Sequence, residues 1–272
     1  MKPLWTTPQQ AQDTGELLDS AFRLFKHSLP SVLPFSFAIA LFNQLLSLFL
    51  PDAQVTDETQ MQAALETLSI LLWPFMLGMI FLTNAMLYQI GAVLYQRQLS
   101  RGQILRFALQ KLLPVFAAAV IYAVIIFFGL MAFILPGIIL SVSLFFYQQE
   151  ILFENRTILN ALLVSHQRSW RYWWRVSIML GVALMLMLAV NLIPLTIVGS
   201  LFYTASGPAT GFHTAVTLTS IVCSSLATPY FYAVVMVTWH DLKLRTEPPP
   251  AKPSEENQDS KSTTSDSDDF LA

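Results

Sequence analysis

The chain has 272 residues, 54% hydrophobic and only 12% charged, with a mean hydropathy of +0.55. Soluble domains carry about 25% charged residues, so this composition, with apolar runs of about 20 residues, excludes a soluble domain and points to a polytopic helical membrane protein. The net charge of −2 decides nothing by itself, and the single cysteine, Cys223, excludes an intrachain disulfide.

Residues 1–12 read as disordered. The first 28 residues are largely polar and do not form the basic, short-apolar, small-residue pattern of a cleaved signal. Asp13 and Glu16 have capping-box spacing. From there Leu17, Leu18, Ala21, Phe22, Phe25 and Leu29 recur at helical intervals, opposite Glu16, Asp19, Arg23, Lys26 and His27. This predicts an amphipathic surface helix. A first span follows at about 29–50, with Pro30 and Pro34 in its opening turns. The loop 51–66 carries Asp52, Asp57, Glu58 and Glu66 and no base. A second span at about 68–95 is long for a bilayer, so it tilts or protrudes on the cytoplasmic side, with Pro74 and Gly78 as bending points.

Ser100 and Gln103 form a second capping box, opening a surface helix with Ile104, Leu105, Ala108, Leu109 and Leu112 on its apolar face. The third span is expected at about 114–134. A tight turn at Leu135-Pro136-Gly137 leads to a fourth at about 137–153, ending in Gln148-Gln149-Glu150. A third amphipathic helix is expected at about 155–174. Ile158, Leu159, Leu162, Leu163, His166 and Trp170 lie near one face, with Asn160, Gln167, Arg168, Arg171 and Arg175 towards the other. Trp170, Tyr172, Trp173 and Trp174 form an aromatic belt at headgroup depth. The fifth span, about 176–198, contains Asn191 and Pro194, and the sixth, about 214–239, contains Pro229. His240-Asp-Leu-Lys-Leu-Arg245 reads as a basic anchor, and residues 246–272 as a disordered, acidic, Pro- and Ser-rich tail. The domain organisation is thus a six-helix membrane domain, 13–245, between two disordered ends.

All 15 Lys and Arg residues precede the first span, lie between spans two and three or four and five, or follow the sixth. The positive-inside rule then places both termini in the cytoplasm. A surface helix followed by two spans recurs over 13–96, 97–153 and 154–240, and each surface helix carries an alanine before a bulky apolar residue: Ala21-Phe22, Ala108-Leu109 and Ala161-Leu162. The expected fold is all-α, six transmembrane helices with three amphipathic interfacial helices forming a basic collar at the inner leaflet.

Leu135-Pro-Gly-Ile-Ile-Leu, Gln149-Glu150, Ala161-Leu162 and Ser169-Trp170-Arg171 resemble the YciC-like family of bacterial inner-membrane proteins. Gly15-Glu-Leu-Leu-Asp-Ser-Ala-Phe22 and Asp241-Leu-Lys-Leu-Arg245 also resemble the start and end of the membrane domain fused to some glycerophosphodiester phosphodiesterases. The resemblance covers about 13–246. It implies a multi-pass bacterial inner-membrane protein concerned with the cell envelope, and it transfers no catalytic residue because the hydrolase domain of the fused proteins is absent.

No Walker loop, G-x-S-x-G elbow, H-E-x-x-H or paired-cysteine zinc spacing occurs. His213 is expected on the opposite side from His27, His166 and His240, so the four do not form one metal site. No catalytic residue, metal or cofactor is assigned. Asn155-Arg-Thr157 has the form of a glycosylation sequon but is expected on the cytoplasmic side. Asn84 and Asn191 are read as bonds between helices. Glu150 is a candidate intramembrane polar site, read first as a solvated or arginine-paired helix end. Arg168, Trp170, Arg171, Trp173, Trp174 and Arg175 are the candidate surface for anionic headgroups or a partner membrane protein. The expected function is a non-enzymatic lipid- or protein-binding scaffold, with no nucleic-acid partner. A small transporter or channel, with Pro74, Pro194 and Pro229 breaking helices, is the alternative. A membrane enzyme acting on lipid is the second.

Overall fold

The computed structural model describes residues 7–47, 58–204, 207–208 and 211–247. Among them the chain is helical apart from turns and one two-residue antiparallel pairing, Tyr203–Thr204 against Gly207–Pro208. The helices are α1 (Thr14–Ser47), α2 (Glu58–Leu94), α3 (Arg101–Gln110), α4 (Leu112–Ala132), α5 (Ile134–Ser143), α6 (Tyr147–Phe153), α7 (Ile158–Trp170), α8 (Trp173–Phe202) and α9 (Phe212–Thr246). Six helical stretches are long and apolar enough to cross a membrane, with α5 and α6 together making the fourth. The shortest unbroken one, α4, has 21 residues and spans about 31 Å, close to the hydrocarbon thickness of a bilayer. The fold is therefore all-α and polytopic.

The most buried of the six is α9, which packs along α1 and α8 and also meets α2 and α7. Small side chains permit the close approach. Ser36 Oγ of α1 donates to the Ser225 carbonyl of α9 at 2.8 Å, and Gln44 Nε2 donates to Ser220 Oγ at 3.2 Å. The core is built from Leu17, Ala21 and Leu24 of α1, Met86, Leu87 and Ile90 of α2, and Ala233–Val237 of α9.

Several expected boundaries move. The first surface helix and first span are one continuous helix, with Pro30 and Pro34 inside it rather than at its start. The surplus length of α2 lies at its first residues, which absorb the end of the expected acidic loop. Its other end closes at Gln96, whose φ of 55° lets the Arg97 amide donate back to the Ala92 carbonyl at 2.7 Å. Residues 48–57 lie outside the described residues. The expected basic anchor 240–245 continues α9 as helix. Of the segment expected to be disordered at the start, residues 7–13 lie as a strap across the ends of α2 and α9, with Thr7 Oγ1 donating to the Leu94 carbonyl at 2.5 Å. Residues 1–6 and 248–272 lie outside the described residues.

The α3 helix opens on the expected reciprocal capping box of Ser100 and Gln103. Ala21, Ala108 and Ala161, the alanines shared by the repeated units, are all fully buried. The bulky residue after each behaves less uniformly, since Phe22 and Leu109 are exposed and Leu162 is not.

The turn between α4 and α5 is the single extended residue Phe133, not Leu135-Pro136-Gly137. Pro136 falls in the first turn of α5, where a missing N–H costs no helical bond. Gly137 instead serves close packing, because a Cβ there would lie 2.9 Å from the Leu130 amide nitrogen and 2.4 Å from Leu130 Cδ2. The expected fourth span is broken between α5 and α6 at residues 144–146. Ser165 of α7 fills the break: its hydroxyl accepts from the Phe146 amide at 3.1 Å and donates to the Ser143 carbonyl at 3.1 Å.

Gly137→Ala is expected to force α4 and α5 apart and cost about 1–3 kcal/mol, the usual penalty for overpacking. Gly181→Ala, where nothing lies within 4 Å of the added Cβ, is the control. Thermal unfolding in detergent should show a lower midpoint for the first variant only.

Candidate functional site

The direction of the helices gathers the charged residues at one end of the bundle. There α1 begins, α2, α6 and α9 end, and α3, α4, α7 and α8 begin, as contacts from Thr14 to Arg175, Lys111 to Asn155 and Lys243 to Glu154 require. Two buried carboxylates organise this basic end.

Glu150, in α6, is fully buried. It accepts from Arg168 Nη1 at 2.5 Å, from Arg156 Nε at 3.0 Å and from Trp239 Nε1 at 2.9 Å. Arg156 reaches back because Asn155 takes a left-handed conformation, φ 53°, just past the end of α6. The Asn155 side chain meanwhile accepts from Lys111 of the α3–α4 junction. Arg168 uses its second terminal nitrogen on Glu247, and Lys243 pairs with Glu154. One carboxylate thus joins α6, α7 and α9.

Asp241, also buried, accepts from Arg175 Nε at 3.2 Å, Arg245 Nε at 2.8 Å and the Gln12 amide at 2.9 Å. Arg175 also donates to Thr14 Oγ1 at 3.2 Å and to the Gln12 carbonyl, which Arg245 meets at 2.7 Å. Between Trp239 and Asp241 sits His240, with one ring nitrogen 3.0 Å from the Pro8 carbonyl and the other 3.4 Å from the Tyr95 hydroxyl. Consecutive helical residues project about 100° apart. One turn of α9 therefore addresses three different neighbours: α6, the strap with the end of α2, and the start of α8.

These placements divide the sequence candidates. Arg168 does not lie on an outer face: it is 8% exposed as a side chain and tied to Glu150 and Glu247. Arg175 belongs to the first turn of α8 and is tied to Asp241. Trp173 donates to the Ile139 carbonyl of α5 at 3.3 Å. Trp170, Arg171 and Trp174 are exposed. Among the described residues no carboxylate pairs with Arg171, whose guanidinium lies 6.0 Å from the centre of the Tyr172 ring. Glu150 is arginine-paired but not solvated. Arg97, Arg101 and Arg106 are exposed.

Asn84 accepts from Gln148 Nε2 at 2.9 Å, linking α2 to α6, and Asn191 accepts from Ser224 Oγ at 2.8 Å, linking α8 to α9. Asn84 Nδ2 and Gln149 Oε1 are buried without a partner. His166 Nδ1 lies 3.0 Å from Ser143 Oγ. Among the described residues no group of three or more His, Cys, Asp or Glu is placed to hold a metal.

Sequence reasoning missed Asp241, Trp239, Arg156 and Gln12. The available signal was an ionisable residue, Asp241, continuing the helical pattern of the sixth span. Comparison with family models, curated proteins and solved structures finds no match.

Glu150→Gln leaves two guanidiniums without the charge they share. It is expected to cost about 3–5 kcal/mol, the penalty for breaking a buried pair. Arg156 is 27% exposed as a side chain, so Arg156→Gln should cost about 1 kcal/mol or less. Denaturant titration in micelles that ranks the two variants equally would remove Glu150 from its anchoring role.

Proposed function

We propose that this chain is a non-enzymatic membrane protein that holds anionic lipid at its basic end. A partner membrane protein is the other occupant that end suits. In this reading the membrane is the bacterial inner membrane, and both termini face the cytoplasm. The observation that carries the proposal is the split among the arginines. Arg156, Arg168, Arg175 and Arg245 are tied to buried carboxylates, whereas Arg97, Arg101, Arg106 and Arg171 are exposed. Exposed guanidiniums beside apolar helices suit phosphate headgroups, which they bind bidentately. Leu105 and Leu109 of α3, with Leu159 and Leu163 of α7, are exposed as well, as interfacial helices with acyl chains against them require. The saturation of Glu150 argues against a catalytic carboxylate, since its oxygens already accept from three side chains. The resemblance to YciC-like proteins favours the same setting.

One observation favours transport as a second reading. The fourth span is broken beside Asn84 and Gln149, and discontinuous helices with polar groups in the bundle are what transporters use. Flux through reconstituted vesicles would support it.

The lipid reading is tested by purifying the protein from membranes and measuring its retained lipids. Replacing Arg97, Arg101 and Arg106 with Gln should reduce retained anionic lipid severalfold, leave neutral lipid unchanged and weaken the dependence on salt. Equal anionic lipid in variant and parent would end this reading.

A further inference from the structure

The connection from α7 to α8 folds over a cavity of about 520 Å³, lined by residues 170–175 and by Ile139 of α5. Its size lies within the range of small-molecule sites. Resting on the reading above, we propose that this cavity binds one phospholipid with an anionic phosphodiester headgroup, its phosphate on Arg171 and an acyl chain running between α5 and α8.

Charge complementarity selects the headgroup. Two cations line the cavity, and Asp241 already takes Arg175. Arg171 is exposed and no described carboxylate pairs with it, so a phosphate there gains a guanidinium fork without breaking an existing pair. Trp170 and Trp174 stand exposed on either side of it in sequence, and indoles are favoured at headgroup depth.

The walls select a lipid over a free anion. Exposed apolar side chains follow on both helices that flank it. Leu135 and Ile138 of α5 are exposed, and so are Ile178, Val182 and Met185 of α8. The two helices meet sparsely, and the Trp173 indole donates to the Ile139 carbonyl. The main packing partner of α8 is α9, and that of α5 is α4. A chain entering past Ile139 therefore meets hydrocarbon-compatible surface on both sides.

The test is native mass spectrometry of the full chain from nanodiscs holding equal phosphatidylglycerol and phosphatidylcholine. The parent is expected to keep one phosphatidylglycerol after the remaining lipids are stripped. Arg171→Gln should lower that occupancy about tenfold, and Ile139→Trp, which fills the cavity, should lower it similarly. The Arg97, Arg101 and Arg106 triple variant should lose other anionic lipids but keep this one. Undiminished retention in both Arg171→Gln and Ile139→Trp would overturn the proposal. Retention lost only in the triple variant would also overturn it, while leaving the general lipid reading in place. No anionic lipid on any form would end both. Displacement of the lipid by millimolar inorganic phosphate would show a soluble-anion site instead.

Discussion

The basic end depends on two carboxylates held away from water. Glu150 and Asp241 each accept from two cationic side chains and one further donor. Charges so placed are costly unless paired and hydrogen-bonded, and both conditions are met here. Their partners come from distant parts of the chain: Trp239 is 89 residues from Glu150, and Gln12 is 229 from Asp241. Each carboxylate therefore fixes how separate helices meet. Because Trp239, His240 and Asp241 are consecutive, this one turn of α9 must be in place before either cluster is complete.

Not every buried polar group is matched as fully as these carboxylates. Gln149 is buried with its Oε1 unpartnered, one residue before the fully bonded Glu150, and Asn84 keeps one free donor. A buried orphan costs about 1–3 kcal/mol. The Ser165 hydroxyl, by contrast, replaces the backbone bonds lost where α5 gives way to α6. The broken span is thus capped at its backbone while its side-chain amides stay incompletely paired. Rigid anchoring a turn away, through Glu150, is what such a segment needs to hold one conformation.

The six spans were legible because a long hydropathy run needs no tertiary information. The Ser100 capping box was legible for the same reason, its bonds being local. The errors fall where partners are remote. Helical periodicity put Arg168 on an outer face, since arginine normally seeks water; nothing local shows that Glu150 and Glu247 wait for it. Residues 240–245 read as a basic anchor from their charge, which does not show that Asp241 turns inward. Pro30 and Pro34 looked like helix starts, yet α1 runs through them, packed along α9. Phe133 is a turn that no Gly or Pro announces; the Pro136-Gly137 pair nearby drew the assignment four residues on.

The arginines fall into two chemical roles, and the residue type suits both. A guanidinium presents separate nitrogens in a fixed plane, so Arg168 can serve Glu150 with one and Glu247 with another. Lysine is a compact and strongly hydrated charge: Lys243 pairs with Glu154, and Lys111 bonds the Asn155 side chain. Buried arginines are committed to the fold, so altering them disturbs structure before any surface property. Exposed ones such as Arg171 carry no comparable load. The charge presented to a membrane can therefore vary without loosening the bundle, because the carboxylates that hold the helices together draw on a different set of cations.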